Sequence, residues 1–212
     1  MSQITSGFRS LLSRPLVYNA FQQLLGARVA RAKFANEFIK VRNGDHVLDI
    51  GCGTAEILKQ FPLDIEYVGF DISKAYIENA RAKYGNRGSF HHGRLSKESI
   101  GAPGSYDIVI ASGLIHHLDD REAGELIDTA RYALRPGGRL VTIDPTFIPE
   151  QNPAAKFLIA QDRGQNVREF QDYCDLFTVD ERWQIEKTLR HDLLRIPYTH
   201  IILEACLIGS KS

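Results

Sequence analysis

The run His46-Val47-Leu48-Asp49-Ile50-Gly51-Cys52-Gly53-Thr54-Ala55-Glu56 constrains this chain more than any other stretch. Val47 to Ile50 read as a buried strand. Gly51 and Gly53 end it, and a helix is expected from Thr54 to about Phe61. Glycine reaches turn angles closed to other residues and lets a ligand approach the backbone. A strand that feeds a helix through so tight a turn belongs to a parallel sheet, because the chain must cross over before it pairs again. Asp49 sets a carboxylate just before the glycines. A pyrophosphate would seek the N-terminus of the helix. A fixed negative charge beside the turn suits a cation better.

The alternation continues downstream. Ile65-Glu66-Tyr67-Val68-Gly69-Phe70 is a second strand ending at Asp71. Ser73 is placed to cap a helix that runs to about Tyr84 and stops before Gly85-Asn86. Ser89 to His92 and Tyr106 to Ala111 are further strands. A helix from about Asp120 to Leu134 stops at Arg135-Pro136-Gly137-Gly138, and Arg139 to Ile143 is the fifth strand. The strands are near-continuous apolar runs, as a sheet covered on both faces requires. The pattern predicts an α/β fold, a doubly wound parallel sheet with helices on both faces.

Beyond Asp144 the pattern changes. Pro145, Pro149 and Pro153 interrupt it, and two short helices are expected. Gly164 ends the first, and Asn166-Val167-Arg168-Glu169 reads as a capping box that opens the second. Gln184 to Leu189 and Tyr198 to Leu207 are strand-like and joined by a loop too short for a helical crossover, so they should pair antiparallel. At the other end, Leu16, Tyr18, Phe21, Leu24 and Leu25 recur at helical spacing. One domain is expected, with N-terminal cap helices at 1–40, a cofactor-binding core at 41–144, a substrate cover at 145–180 and antiparallel strands at 181–212.

With 212 residues the chain is long enough for such a domain with a sizeable core. Lysine plus arginine (26) equals aspartate plus glutamate (26), so the formal net charge is zero. That removes the electrostatic footprint of a protein that holds a long phosphate backbone and disfavours a nucleic-acid partner. No apolar stretch approaches the roughly 20 residues that span a bilayer. Cys52, Cys174 and Cys206 lack metal-ligand spacing, so no metal is expected. An odd cysteine count without a secretory signal fits a reducing, cytoplasmic compartment. No acid precedes Glu37, whereas Arg9, Arg14, Arg28, Arg31 and Lys33 do. The favoured reading is a cap helix packed on the domain. Peripheral contact with a membrane surface and import into an organelle are the alternatives. Nothing in the sequence speaks to oligomeric state.

In an open parallel sheet, ligands bind at the carboxyl ends of the strands near the point where strand order reverses. Asp49 to Gly53, Asp71, His92 to Leu95, Ala111 to His117 and Asp144 all fall there. Asp71 stands where an acid accepts hydrogen bonds from ribose hydroxyls; the competing reading is an N-terminal acid of the next helix. The nicotinamide fingerprint G-x-G-x-x-G fails, because Glu56 occupies the third glycine position, and this disfavours a dehydrogenase. A cationic nucleoside fits both carboxylates, and S-adenosylmethionine, with its sulfonium and amino group, is the cofactor expected.

VLDIGCGT, YVGFDIS, YDIVIASGLIHHLDD and LRPGGRLVTID resemble, in order and spacing, the successive motifs of class I S-adenosylmethionine-dependent methyltransferases of the small-molecule type. The resemblance covers roughly residues 44–145. It implies a Rossmann-like seven-stranded sheet whose last strand is antiparallel. It implies cofactor contacts from Asp49, the Gly51-Cys52-Gly53 turn, Asp71, Ile72 and Ala111, and a cover built after the fifth strand. It also suggests that the N-terminal helix, with Tyr18, folds over the cofactor, although a core or surface tyrosine is the favoured reading of Tyr18 itself. Two departures stand out. The usual third glycine of the first motif is Ala55. Where the family often places an acid near the adenine amine, this chain has Gly93-Arg94-Leu95, so the adenine contact there falls to Arg94, Leu95 and backbone groups.

Ala111-Ser112-Gly113-Leu114 lacks the prolines and aromatic clamp of methyltransferases that act on adenine or glutamine amines, which disfavours a flipped base. His117, and in second place His116, is the candidate base for an acceptor hydroxyl or amine. Asp144 is a candidate to orient the acceptor, or else it caps the turn that follows. Arg163 and Arg168 are candidates to grip a carboxylate or phosphate of it, against the plainer reading of a salt bridge and a cap. The expected reaction is methyl transfer to oxygen or nitrogen of a small molecule. The rivals are an RNA or protein methyltransferase, a non-catalytic cofactor-binding module and a dehydrogenase.

Overall fold

The computed structural model describes residues 26–160, 166–178 and 181–208. Helix α1 (Ala27–Phe34) widens in its last turn to a π-turn at Ala35–Ile39. Then come β1 (His46–Ile50), β2 (Glu66–Asp71), α2 (Lys74–Tyr84), β3 (Ser89–His92) and a single-turn α3 (Lys97–Ile100). The second half holds β4 (Tyr106–Ser112), α4 (Asp120–Ala133), β5 (Leu134–Pro145), α5 (Pro153–Ala160), α6 (Phe170–Thr178), β6 (Trp183–Arg190) and β7 (His200–Leu207). The seven strands form one sheet in the order β3-β2-β1-β4-β5-β7-β6. The first five run parallel, and β7 inserts antiparallel between β5 and β6. The doubly wound α/β sheet with an antiparallel last strand is therefore present. Strand order reverses between β1 and β4.

Alternation along the buried strands divides the core in two. Leu48, Val109, Leu140 and Leu203 face α4 and α6. Val47, Ile108, Val141 and Ile202 face α1, the π-turn and α2. The sheet is covered on both sides, and its carboxyl edge is left to present polar groups.

Three elements differ from the sequence reading. The helix expected from Thr54 is a 3-10 turn at Glu56–Gln60. Ala55 enters it with φ 54°, and Phe61, which precedes Pro62, leaves it extended at φ −96°, ψ 151°. A residue before proline is driven out of the helical region, so too few residues remain for an α-helix. The Glu56 carboxylate does not crowd the turn; it pairs with Lys59 at 2.7 Å and with Lys83. The capping box at Asn166 does not form. The Asn166 N–H donates to the His116 carbonyl at 3.0 Å, Glu169 bridges to Phe147, and α6 starts only at Phe170. The single-turn helix α3 was not foreseen. Tyr18, with the other apolar residues of the N-terminal pattern, Arg163 and Gly164 lie outside the described residues. Among the described residues no helix is long and apolar enough to cross a membrane.

Candidate active site

The glycine turn is built by left-handed backbone at alternate residues. Gly51 has φ 76°, Gly53 φ 55° and Ala55 φ 54°. Both Gly51 N–H and Cys52 N–H donate to the Phe70 carbonyl, at 2.8 and 3.0 Å, which pins the turn to the end of β2. A Cβ on Gly53 would meet nothing within 4 Å, so the turn borders open space. The Gly53 N–H donates to Asp71 Oδ2 at 2.9 Å, and the Ser73 N–H to Asp71 Oδ1 at 2.7 Å. These two bonds fix the Asp71 carboxylate and leave lone pairs on both oxygens for a ligand. Burial pushes the Asp71 carboxyl above its usual range, against those two donors.

Asp49 is nearly sealed from solvent, at 3% exposure. Its Oδ2 accepts a 2.6 Å hydrogen bond from the Tyr67 hydroxyl, and its Oδ1 is buried with no partner among the described residues. Burial, with the nearby Asp71 charge adding to it, pushes the Asp49 carboxyl up to about 7, the Tyr67 bond opposing. A buried carboxylate is costly unless compensated, and the partnerless oxygen beside the glycine turn has the chemistry that suits a cation. A cavity of about 460 Å³ opens next to the turn on the α4 side, floored by Ile50, Leu95, Leu114 and Leu118 and rimmed by Arg94 and Glu122. The two carboxylates do not line it; it adjoins the turn through Leu114, which would touch a Cβ on Gly51 at 3.2 Å.

The second half of the site lies at the ends of β4 and β5. A 3-10 turn at Ile115–His117 follows β4. Asp144 Oδ1 accepts from both the ring Nδ1 and the backbone N–H of His116, at 2.7 and 3.1 Å. His116 is buried at 5% exposure and its ring packs against that of His117, centroids 4.0 Å apart. Asp144 is 1% exposed, its Oδ2 has no partner among the described residues, and burial raises its carboxyl against the His116 bonds.

Residues 48–140 match the family model described as "Methyltransferase domain". An O-methyltransferase of Penicillium expansum is 37% identical over 110 residues, covering 48% of this chain and 38% of that protein. A carboxy-S-adenosyl-L-methionine synthase of Campylobacter curvus is 30% identical over 160 residues, covering 73% of this chain and 63% of that protein. The chain thus spans less than two thirds of the length of these curated relatives. The solved structure of the pyocyanin biosynthetic protein PhzM superposes with a TM-score of 0.71 at 20% identity, over 96% of this chain and 62% of that one, a likeness of fold. Residues 48–140 are a methyltransferase domain, set in the fold of the class I S-adenosylmethionine-dependent methyltransferases. S-adenosylmethionine is the cofactor of that family, and the orphaned Asp49 oxygen, the open Gly53 and the fixed Asp71 carboxylate fit its cationic and ribose groups.

In this methyltransferase fold the sequence-predicted residues separate. Asp49, Gly51, Gly53 and Asp71 converge at the turn. Ile72 follows with an exposed side chain (46%). Leu95 floors the cavity, while Arg94 is held by Glu122 at 3.1 Å and Glu125 at 3.5 Å. Cys52 turns its sulfur inward beside Gly69, and burial together with Asp49 and Asp71 pushes its thiol up. The Ala111 side chain is sealed in the α4-side core, so only its backbone lies near the edge; Ser112 and Gly113 stand there instead. His116, rather than the preferred His117, is the histidine oriented by Asp144.

Arg168 does not fit a grip on the acceptor. Nε and Nη2 donate to Asp120 Oδ1 at 3.0 and 2.8 Å, Nη1 to the carbonyls of Ile115 and Asn166 at 3.2 Å each, and Nη2 to that of Leu118 at 2.8 Å. A guanidinium has five N–H groups, and all are engaged. Arg168 braces the histidine turn. Two contributors were missed by sequence reasoning. Tyr67 reads as a strand residue, and only its register near Asp49 reveals a role. Gly69 did carry a signal, a glycine inside a strand that marks a close approach; a Cβ there would lie 2.8 Å from the Cys52 sulfur.

Proposed function

We propose that this methyltransferase moves the methyl group of S-adenosylmethionine to an oxygen or nitrogen of a small-molecule acceptor, with His116 as the base. The observation that carries the reading is the buried pair of His116 and Asp144 on the acceptor side of the glycine turn. The O-methyltransferase relative supports an oxygen acceptor, and the zero net charge argues against an RNA. Bound S-adenosylmethionine supplies an electrophilic methyl on a sulfonium. Asp49 offers its free oxygen to the cationic end, and Asp71 accepts from the ribose hydroxyls. With Asp144 ionised, its bond to His116 requires the proton on Nδ1, so the ring would take the acceptor proton at Nε2. Asp144 is then the positioning residue that holds the tautomer, and alignment of acceptor, methyl and sulfur supplies much of the acceleration.

Incubation of the purified protein with methyl-labelled cofactor and a metabolite extract identifies the acceptor as the labelled product. His116→Gln is expected to slow that reaction about 100-fold, the lower end of general-base effects, while cofactor affinity measured by calorimetry is unchanged. An unchanged rate removes His116 from the chemistry. Absence of cofactor binding by the parent protein removes the whole reading.

A further inference from the structure

We propose that Tyr67 is a positioning residue for the cofactor: its hydroxyl holds the Asp49 carboxylate ionised and aimed, so that Oδ1 meets the incoming cation. The inference rests on the reading of Asp49 as the charge partner of S-adenosylmethionine. Tyr67 and Asp49 lie on adjacent parallel strands and on the same sheet face, but they are not directly opposed. Tyr67 pairs with Val47, and Asp49 pairs with Gly69. The phenol therefore runs diagonally along the sheet to reach the carboxylate. Two glycines clear its path. A Cβ on Gly69 would come to 3.2 Å from Tyr67 Cε1, and one on Gly88 to 2.8 Å from Tyr67 Cδ1. The Phe90 ring closes the slot at 5.8 Å between centroids.

The arrangement is poorly explained as core packing. Both residues are buried, at 2% and 3% exposure, and the carboxylate receives this one side-chain donor while its other oxygen has none among the described residues. A buried acid served by one donor destabilises the fold relative to an apolar pair of similar shape. The hydroxyl makes sense if the carboxylate must be available as an anion. Burial drives the Tyr67 phenol well above its ordinary range, so it stays a donor while Asp49 titrates near 7. The titratable groups that face Asp49 are Tyr67 and Asp71 from β2 and Cys52 from the turn. Tyr67 favours the anion, Asp71 disfavours it, and the Cys52 thiol is held neutral. Loss of the hydroxyl must raise the Asp49 midpoint, and binding of a cation must release a proton from Asp49 to the buffer.

The test is Tyr67→Phe, which keeps the ring in its slot. In the protein without cofactor, carbon-13 NMR of the aspartate carboxyls should show the Asp49 midpoint moving upward from the parent value. S-adenosylmethionine affinity at pH 7 should fall about tenfold, the lower end of what one hydrogen bond to a charged group is worth. The deficit should shrink as pH rises past the new midpoint. An unmoved midpoint, or a deficit that is the same at every pH, makes Tyr67 a packing residue and overturns the inference. The parent protein gives a second measurement that needs no variant. Its sheltered Tyr67 hydroxyl proton should shift as Asp49 titrates, and a pH-independent resonance overturns the inference equally. If instead the midpoint moves in Tyr67→Phe but the parent binds no S-adenosylmethionine, the cofactor reading fails while the coupling of Tyr67 to Asp49 stands.

Discussion

The two halves of the carboxyl edge are held by different kinds of bond. Around β1 and β2, the carboxylates of Asp49 and Asp71 are set by groups 18 residues away in sequence or fewer, several of them backbone N–H groups of a glycine turn and a helix start. Around β4 and β5, the histidine turn is set by side chains 28 to 53 residues away, Asp144 from β5 and Arg168 from the cover. The first half is a property of local backbone. The second depends on tertiary contacts, between the ends of β4 and β5 and with the segment before α6. That contrast predicts that damage to the acceptor half will be felt as lost stability, and damage to the cofactor half as lost affinity.

Arg168→Ala offers the hardest test. It removes five bonds and takes from the Leu118 carbonyl its Arg168 donor, a loss worth roughly 1–3 kcal/mol, so with the remaining bonds a loss of about 3–4 kcal/mol is expected in urea denaturation. Asp120, itself solvent-exposed, loses little. Affinity for S-adenosylmethionine in the surviving folded protein should stay within about twofold, since no atom of the turn at Gly51-Gly53 depends on Arg168. A large fall in affinity would merge the two halves into one unit. Asp71→Ala should show the reverse. Two charge-assisted bonds to the ribose are lost, about 3 kcal/mol together, and calorimetry should record an affinity about 100-fold weaker, with melting changed much less than in Arg168→Ala.

The same contrast governs what could be read in the sequence. β1, β2 and the turn between them were legible because apolar runs, glycines and strand-end acids are local signals. Asp49, Gly51, Gly53 and Asp71 could be grouped at the strand ends with no knowledge of distant residues. The partnership of His116 with Asp144 needed the register that brings the end of β5 beside the end of β4, and the sequence, which favoured His117, carries no sign of it. Arg168 was visible only as a polar residue at a helix junction. Its five bonds reach four acceptors on two separate stretches of chain, Ile115 to Asp120 and Asn166, and no spacing rule connects them. Tyr67 lies between these cases. Its strand was predicted correctly, but the diagonal reach to Asp49 depends on how two strands align.

pH offers a milder way to sharpen the comparison. Asp49 titrates near 7 in the folded chain, against 3.8 for an ordinary aspartate. The folded state therefore holds a proton that the unfolded state has lost. The stability this proton brings is complete below about pH 4, is lost as pH rises through 7, and is gone above about pH 8. Asp49→Asn should abolish that dependence and raise the stability of the cofactor-free protein at pH 8 by about 1–2 kcal/mol. The gain stays below the full linkage value because the buried amide brings N–H groups of its own that need partners. The variant should at the same time lose affinity for S-adenosylmethionine. A carboxylate that weakens the empty fold and strengthens the complex is one kept for its ligand. Equal pH dependence in parent and variant would return Asp49 to the core.

The smallest expected effect concerns the non-glycine residue of the turn that holds left-handed backbone. Ala55 holds φ 54° and is fully buried against the α2-side core. The left-handed conformation costs an L-residue about 1–2 kcal/mol. Ala55→Gly would relieve that strain, but it would add back roughly 0.5–1 kcal/mol of unfolded-state freedom and lose a buried methyl worth about 0.8 kcal/mol. The terms nearly cancel, so denaturant unfolding should move by less than about 1 kcal/mol in either direction. Cofactor affinity should be unchanged, because the bonds of the turn to Phe70 and Asp71 come from residues 51 to 53. A loss above 2 kcal/mol would mean that the methyl, rather than the backbone, sets the path of the turn. The cofactor half would then depend on core packing in the way the acceptor half depends on Arg168.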